Sequence, residues 1–303
     1  MASLLSRLKR NVRGALAAFG LLSFAACTTT AATAEAPRPA LWKLADKDTT
    51  IYLFGTIHVL PKDLAWRTGE LERAIAASDT LVLETELGSD PSAAAQTMMK
   101  LALSPGLPPL AERVPEDQRK KLRKVVAAAG IPEKALDRME TWAAALTLLA
   151  VNARQMGLSA DAGVERGLNA TYKRANKPIR GLETAEQQFG YFDALSEEAQ
   201  RALLVGMLDD PAAADAEFQA MVKAWKSGDT RAIARTFDSE TALSPELREV
   251  LMKRRNAAWA DWLAKRLDQP GTVLVAVGAG HLAGKDSVQQ MLRSRGLRTM
   301  RVQ

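Results

Sequence analysis

The chain is poor in the residues that usually advertise a function. It has one cysteine and two histidines among 303 residues. One cysteine excludes an intrachain disulfide and every zinc site built on several thiolates. Two histidines, His58 and His281, exclude H-E-x-x-H. There is no G-x-S-x-G and no G-x-x-x-x-G-K-[ST], so serine-elbow and P-loop chemistry have no foothold. Gly278-Ala279-Gly280 resembles a dinucleotide turn only faintly, because Gly284 comes one place late. Aromatic residues make up 5%, with 3 Tyr and 7 Phe, which suits a helix-rich protein.

An excess of positive charge is nearly missing as well. The formal net charge is +6. Four of the basic residues (Arg7, Lys9, Arg10 and Arg13) lie in the first 26 positions with no acid beside them. Without them the balance is 37 basic to 35 acidic residues, and no electrostatic footprint for nucleic acid remains.

Those first 26 residues read as an export signal. Arg7 to Arg13 form a basic segment, and Gly14 to Ala26 form an uncharged apolar one, too short for a comfortable membrane span of roughly 20 residues. Ala25-Ala26 before Cys27 resembles a bacterial lipobox, although Phe24 stands where Leu is usual. The expectation is a lipid-anchored Cys27 at the bacterial cell envelope, facing the periplasm. Thr28 gives no acidic signal for inner-membrane retention, so the outer membrane is expected. Cleavage after Ala32-Thr33-Ala34 is the alternative, giving a soluble periplasmic protein. Residues 27–39 read as a tether and 40–303 as one domain.

Ile51 to Phe54 is a β-branched and aromatic run that reads as a strand, followed by Gly55-Thr56-Ile57-His58. Pro61 to Ala77 reads as a helix with Leu64, Leu71 and Ile75 on one face. Thr80 to Leu83 is a second strand, closed by Glu84, so strand, helix and strand suggest a βαβ unit. Residues 92–157 read as helices, stopped at Gly130 and restarted at Pro132. A buried stripe is expected at Met139, Trp142, Ala143, Leu146, Leu149, Ala150 and Ala153. Val164, Leu168 and Tyr172 mark another helix, and Lys177 to Thr184 a short strand carrying Glu183. Helices fill 185–267, broken near Pro211 and Gly228. Thr272 to Val277 is the clearest buried strand and ends Gly278-Ala279-Gly280-His281. A helix from Ser287 to Arg295 and a strand from Leu297 to Val302 finish the chain. The fold class expected is α/β: a central sheet with G-x-x-H turns at strand ends, flanking helices and a large helical insertion over 92–175.

Both histidines follow a glycine by three residues at the end of an apolar strand. In an open α/β sheet, ligands bind outside the carboxyl ends of the strands. His58, Glu84, Glu183 and His281 would then meet at one crevice. Two imidazoles and a carboxylate are a normal ligand set for a divalent transition metal with an open position. Each residue alone has a plainer reading: a capped or buried histidine, a surface acid, or an acid in the first turn of a helix.

At these residues the chain resembles the TraB/GumN family, related to the Tiki metalloproteases. The matching segments are Tyr52 to His58, Leu81 to Glu84, Gly181 to Thr184 with Gln187-Gln188, Arg255-Asn256 with Trp259, and Val275 to Leu282. The resemblance implies an α/β fold with a cleft between the two G-x-x-H turns and, as in Tiki proteins, metal-dependent peptide-bond hydrolysis. Carried onto this chain, it makes His58, Glu84 and His281 ligands of a divalent ion (Mn, Co or Zn). Glu183 becomes a second acid for proton transfer or ligation. Arg255 either meets an oxyanion or holds the site together by an ion pair. Asn256 and Trp259 would pack and support. Haem-binding lipoproteins and erythromycin esterases share a similar fold, so fold alone does not fix the reaction. Two expectations follow: a metal-dependent hydrolase acting on peptide or small-molecule acyl bonds, or a non-catalytic protein that binds a peptide signal, haem or another small molecule in the same cleft.

Overall fold

A computed structural model describes residues 36–86, 91–208, 211–238 and 244–303. Residues 1–26, read above as an export signal, Cys27 and residues 28–35 of the expected tether lie outside the described residues. The compact unit runs from Pro37 to Gln303. No helix among the described residues is long and apolar enough to cross a membrane.

Six strands form one mixed sheet: β1 (Leu41–Ala45), β2 (Thr49–Thr56), β3 (Thr80–Thr85), β4 (Ile179–Glu183), β5 (Gly271–Gly278) and β6 (Met300–Arg301). Their spatial order is β4-β3-β5-β2-β1-β6. β2, β5, β3 and β4 run parallel, and β1 pairs antiparallel with both β2 and β6. This is the expected α/β sheet with flanking helices. All four parallel strands therefore end on the same edge.

The side-chain period of two splits each central strand between two cores. Leu274 and Ala276 of β5 face a core made with Leu71 and Ile75, Leu168 and Tyr172, and Trp225. Val273, Val275 and Val277 face the opposite core, made with Trp259, Ala260 and Leu263, and with Val288 and Leu292. Helices thus cover both faces, which is why β5 reads as an uninterrupted apolar run. The helical insertion builds a further core, where Leu122, Val126, Leu136, Ala145 and Leu148 are buried together with Leu204 from beyond it. Arg113 is buried there and donates to the carbonyls of Pro108, Asp137 and Met139, tying loops that have little secondary structure.

Several expectations need correction. β2 and β3 are parallel but not adjacent, because β5 lies between them, so the βαβ unit is a split one. The helix expected over Pro61 to Ala77 spans only Gly69–Ala77. Thr68 caps it by accepting from the Leu71 amide, and the preceding turn leaves Leu64 outside the helix. The stripe on Thr141–Gln155 is rotated. Trp142, Ala145 and Leu148 are buried, whereas Leu149 is 45% exposed. Leu148 and Leu149 are equal in apolarity, and only contact with the insertion core decides between them. The last strand shrinks to Met300–Arg301, which pairs with Trp42 and Lys43 of β1, while Val302 and Gln303 bond Leu41 outside the regular ladder. β1 itself, Leu41–Ala45, went unread in the sequence.

Candidate functional site

The register of β2 against β5 sets the two G-x-x-H turns side by side. Phe54 pairs with Ala276, Gly55 with Val277 and Thr56 with Gly278. β3 lies on the other side of β5, with Leu83 opposite Ala276, so Glu84 comes level with the start of the second turn. Glu84 Oε1 accepts from the Gly278 amide at 2.6 Å. β4 delivers Glu183, and Thr184 then opens a helix through a reciprocal capping box with Gln187.

Arg255 enters from the far side of the sheet edge. It begins the helix Arg255–Arg266, directly after a π-helical turn at Glu249–Arg254. Such a turn shifts helix phase by one residue and is frequent at functional sites. Here it precedes the buried face of Arg255, Asn256, Trp259, Ala260 and Leu263. Arg255 has all five N–H donors engaged. Nε and Nη2 grip Glu183 Oε1 and Oε2 at 2.9 and 2.8 Å. Nη2 also donates to Glu84 Oε2 at 2.7 Å. Nη1 meets the Leu251 carbonyl and His281 Nε2, each at 3.3 Å. The guanidinium also lies 4.7 Å from the Trp259 ring centre, a cation–π distance. Trp259 Nε1 supplies a further bond to Glu183, at 2.9 Å.

His281 is buried. Its Nδ1 lies 2.6 Å from Asn256 Oδ1, while the Asn256 amide nitrogen donates to the Asp286 carbonyl. That second bond fixes the amide orientation, so His281 Nδ1 carries the proton and Nε2 keeps its lone pair. Burial pushes the imidazole down to about 4, with the positive charge of Arg255 helping and Glu84 opposing. Burial alone would raise Glu84. The charges of His281, Arg255 and His58, with the Gly278 amide, overcome it and bring the carboxyl down to about 2.

His58 is the exposed member, with 66% of its side chain open to solvent. Its Nδ1 lies 2.7 Å from Glu165 Oε1. Desolvation works against its charged form but is outweighed. The hydrogen bond and charge of Glu165, reinforced by Glu84, carry the pKa up to about 9. His58 Nε2 faces the rest of the site. The point where a Gly278 side chain would begin is 3.8 Å from His58 Nε2, 3.6 Å from His281 Cδ2 and 3.1 Å from Glu84 Oε1. A glycine there leaves a small space that all three groups border.

The structure thus gathers His58, Glu84, Glu183, Arg255 and His281 at one sheet edge. Glu183 and Arg255 are turned into each other. Glu165, Thr56 and Gln188 complete the surroundings. Gln188 donates to Glu84 Oε2 at 3.3 Å. A cavity of about 330 Å³ adjoins, lined by Thr85, Glu86, Gly181, Leu182, Glu183 and Thr184. A larger one of about 360 Å³, against Gln289, Arg293 and Arg298, holds none of these groups, and side-chain chemistry rather than volume marks the site. Glu165 was missed in the sequence, where it reads as an ordinary first-turn acid 109 positions from Thr56.

The family model described as TraB/PrgY/gumN matches residues 40–301. The chain belongs to the TraB/PrgY/gumN family. It is 30% identical over 242 residues to the uncharacterized protein YbaP of Escherichia coli (strain K12), covering 80% of this chain and 87% of that one. YbaP of Shigella flexneri matches to the same extent. An uncharacterized protein of Treponema pallidum (strain Nichols) is 23% identical over 299 residues, covering 91% of this chain and 89% of its own. No solved structure matches the chain.

Whether the residues fit a divalent ion is a question of donor chemistry. Each imidazole has Nδ1 occupied by an oxygen acceptor, as outer partners orient metal-binding histidines. His58 Nε2 faces the shared space, while His281 borders it through Cδ2 and its Nε2 meets Arg255 Nη1, a bond an ion would have to displace. Glu84 is ionised, and its Oε1 stands 3.9 Å from His281 Nε2. Among the described residues, no three His, Cys, Asp or Glu side chains are already gathered tightly enough to enclose an ion. The donors fit in kind: His58 Nε2 and Glu84 Oε1 border the space, and His281 Nε2 would join them on release from Arg255 Nη1.

Proposed function

We propose that the chain is a metal-dependent hydrolase of peptide-like acyl bonds, held at the cell envelope by a lipid on Cys27. One observation carries the reading: His58 Nε2, His281 and the ionised Glu84 border one small space left by Gly278, with each imidazole held through Nδ1. His58, Glu84 and His281 would hold a Mn, Co or Zn ion. When bound, such an ion supplies Lewis acidity, making water nucleophilic near neutral pH and polarising a carbonyl. Arg255 and Glu183 have their donors and acceptors spent on each other and on neighbours. Their part is to hold Glu84 and His281 in place and to keep that wall of the site dry. The neighbouring cavity offers room for a substrate side chain.

One observation favours the second reading, a non-catalytic cleft for a peptide signal, haem or another small molecule. Arg255 already neutralises Glu84, as an added cation would. Turnover separates the two. The full chain, loaded with Mn, Co or Zn, is expected to cleave members of a broad peptide and ester library, and chelation should stop it. Tight binding of a peptide or haem with no cleavage of any library member would establish the second reading.

A further inference from the structure

We propose that Glu165 is a positioning residue for His58, and that the segment from Ser159 to Glu165 is a clamp that fixes the first G-x-x-H turn. The inference rests on the reading of His58 as a metal-directed imidazole and deepens it. The segment touches the turn at four places. The amides and carbonyls of Leu60 and Ser159 exchange bonds at 3.2 and 3.0 Å. The Val164 amide donates to the Ile57 carbonyl at 3.1 Å. Gly163 lies so close to His58 that an added side chain would begin 2.1 Å from the His58 carbonyl oxygen, so glycine is required by the approach alone. Finally, Glu165 Oε1 accepts from both Thr56 Oγ1 and His58 Nδ1.

These contacts act on one torsional problem. An exposed histidine on a turn can rotate freely and can carry its proton on either nitrogen. A carboxylate on Nδ1 removes both freedoms. It keeps a proton on Nδ1 and aims Nε2 inward, and as an anion it makes Nε2 a stronger donor once an ion displaces the Nε2 proton. The clamp holds the backbone at residues 57, 58 and 60, and Thr56 holds the carboxylate. His281 has the matching device in Asn256, but there the partner is neutral and the ring is buried, so that histidine is set by packing as well. His58 has no such packing, so its orientation depends on Glu165.

The test uses the full chain with 15N-labelled histidine. Its two imidazoles give two ring systems, told apart by His281→Ala. In metal-free protein, His58 is expected to show a low-field Nδ1–H signal protected from exchange, and Glu165→Ala should abolish it while the His281 signal stays. Titration with Zn or Co ions should then show affinity falling by about 10–100-fold in Glu165→Ala. Glu165→Gln keeps an acceptor oxygen and the bulk of the side chain, so it guards against a variant that fails to fold. It should retain the Nδ1–H signal and lose affinity by a smaller factor. An unchanged His58 signal in a folded Glu165→Ala protein, or a wild type with no protected Nδ1–H on His58, overturns the proposal. If the wild type binds no ion, the metal reading falls, and the Nδ1–H comparison still decides whether Glu165 positions His58.

Discussion

Removing Arg255 should be the most damaging single change near the site. Its side chain is 7% exposed, and those of its partners Glu84 and Glu183 are 7% and 4% exposed. Arg255→Ala strands two buried carboxylates close together, with no cation between them. Breaking a buried ion pair in this way typically costs about 3–5 kcal/mol. At roughly 2–4 °C per kcal/mol for a chain of this class, melting should fall by on the order of 10 °C or more. Arg255→Lys keeps the charge but offers three donors to the acceptors that five now serve. It should recover part of the loss, with each orphaned acceptor still costing about 1–3 kcal/mol. The assay is urea denaturation followed by far-UV circular dichroism. Repeating it at lower pH separates charge from packing, because protonating the carboxylates should narrow the gap between Arg255→Ala and wild type. A loss below about 1 kcal/mol at neutral pH would refute the reasoning, since exposed pairs cost no more than that.

Stability of the wild type should itself fall in acid over two windows. His281, lowered to about 4 from 6.5, gives stability that is full above 6.5 and lost as pH falls through 4, because the unfolded chain takes up the proton first. Glu84, lowered to about 2 from 4.5, extends the loss from 4.5 downward, and equilibrium unfolding at a series of pH values reads both. Gly278→Ala should leave the strand intact but place a methyl 3.1 Å from Glu84 Oε1, in the space the three groups share, so ion binding measured by calorimetry should drop at least tenfold with little change in melting. Cys27→Ser should abolish the membrane-bound form, and an intact mass showing a mature protein that begins at Glu35 would refute lipidation.

Much of the site was legible because its residues sit where strand pattern is strongest. β5 announces itself as Thr272 to Val277, and the turn that follows carries one of only two histidines. The parallel direction of β2, β3, β4 and β5 turns four separate strand-end signals into one place. Arg255 and Asn256 came from family resemblance, since nothing in their helical surroundings says which face is buried. A π-helical turn just before Arg255 changes the phase that periodicity would assume. The position of β5 between β2 and β3 depends on long-range pairing that no local pattern carries. Glu165 stayed hidden for the same reason, because its importance exists only once the insertion folds back onto Thr56 and His58. Trp225 is a similar case: a core residue by pattern, it donates through Nε1 to the Gly55 carbonyl at 2.8 Å and props up the first turn.

The central claim is that His58 and His281 serve one ion. The most direct measurement is the stoichiometry of Zn or Co ions bound by the full chain, alongside His58→Ala and His281→Ala, by equilibrium dialysis with elemental analysis. The account predicts one ion per chain for the wild type and loss of that ion in each variant, with both variants still folded by circular dichroism. No bound ion in the wild type, or an ion that survives both substitutions, would contradict it.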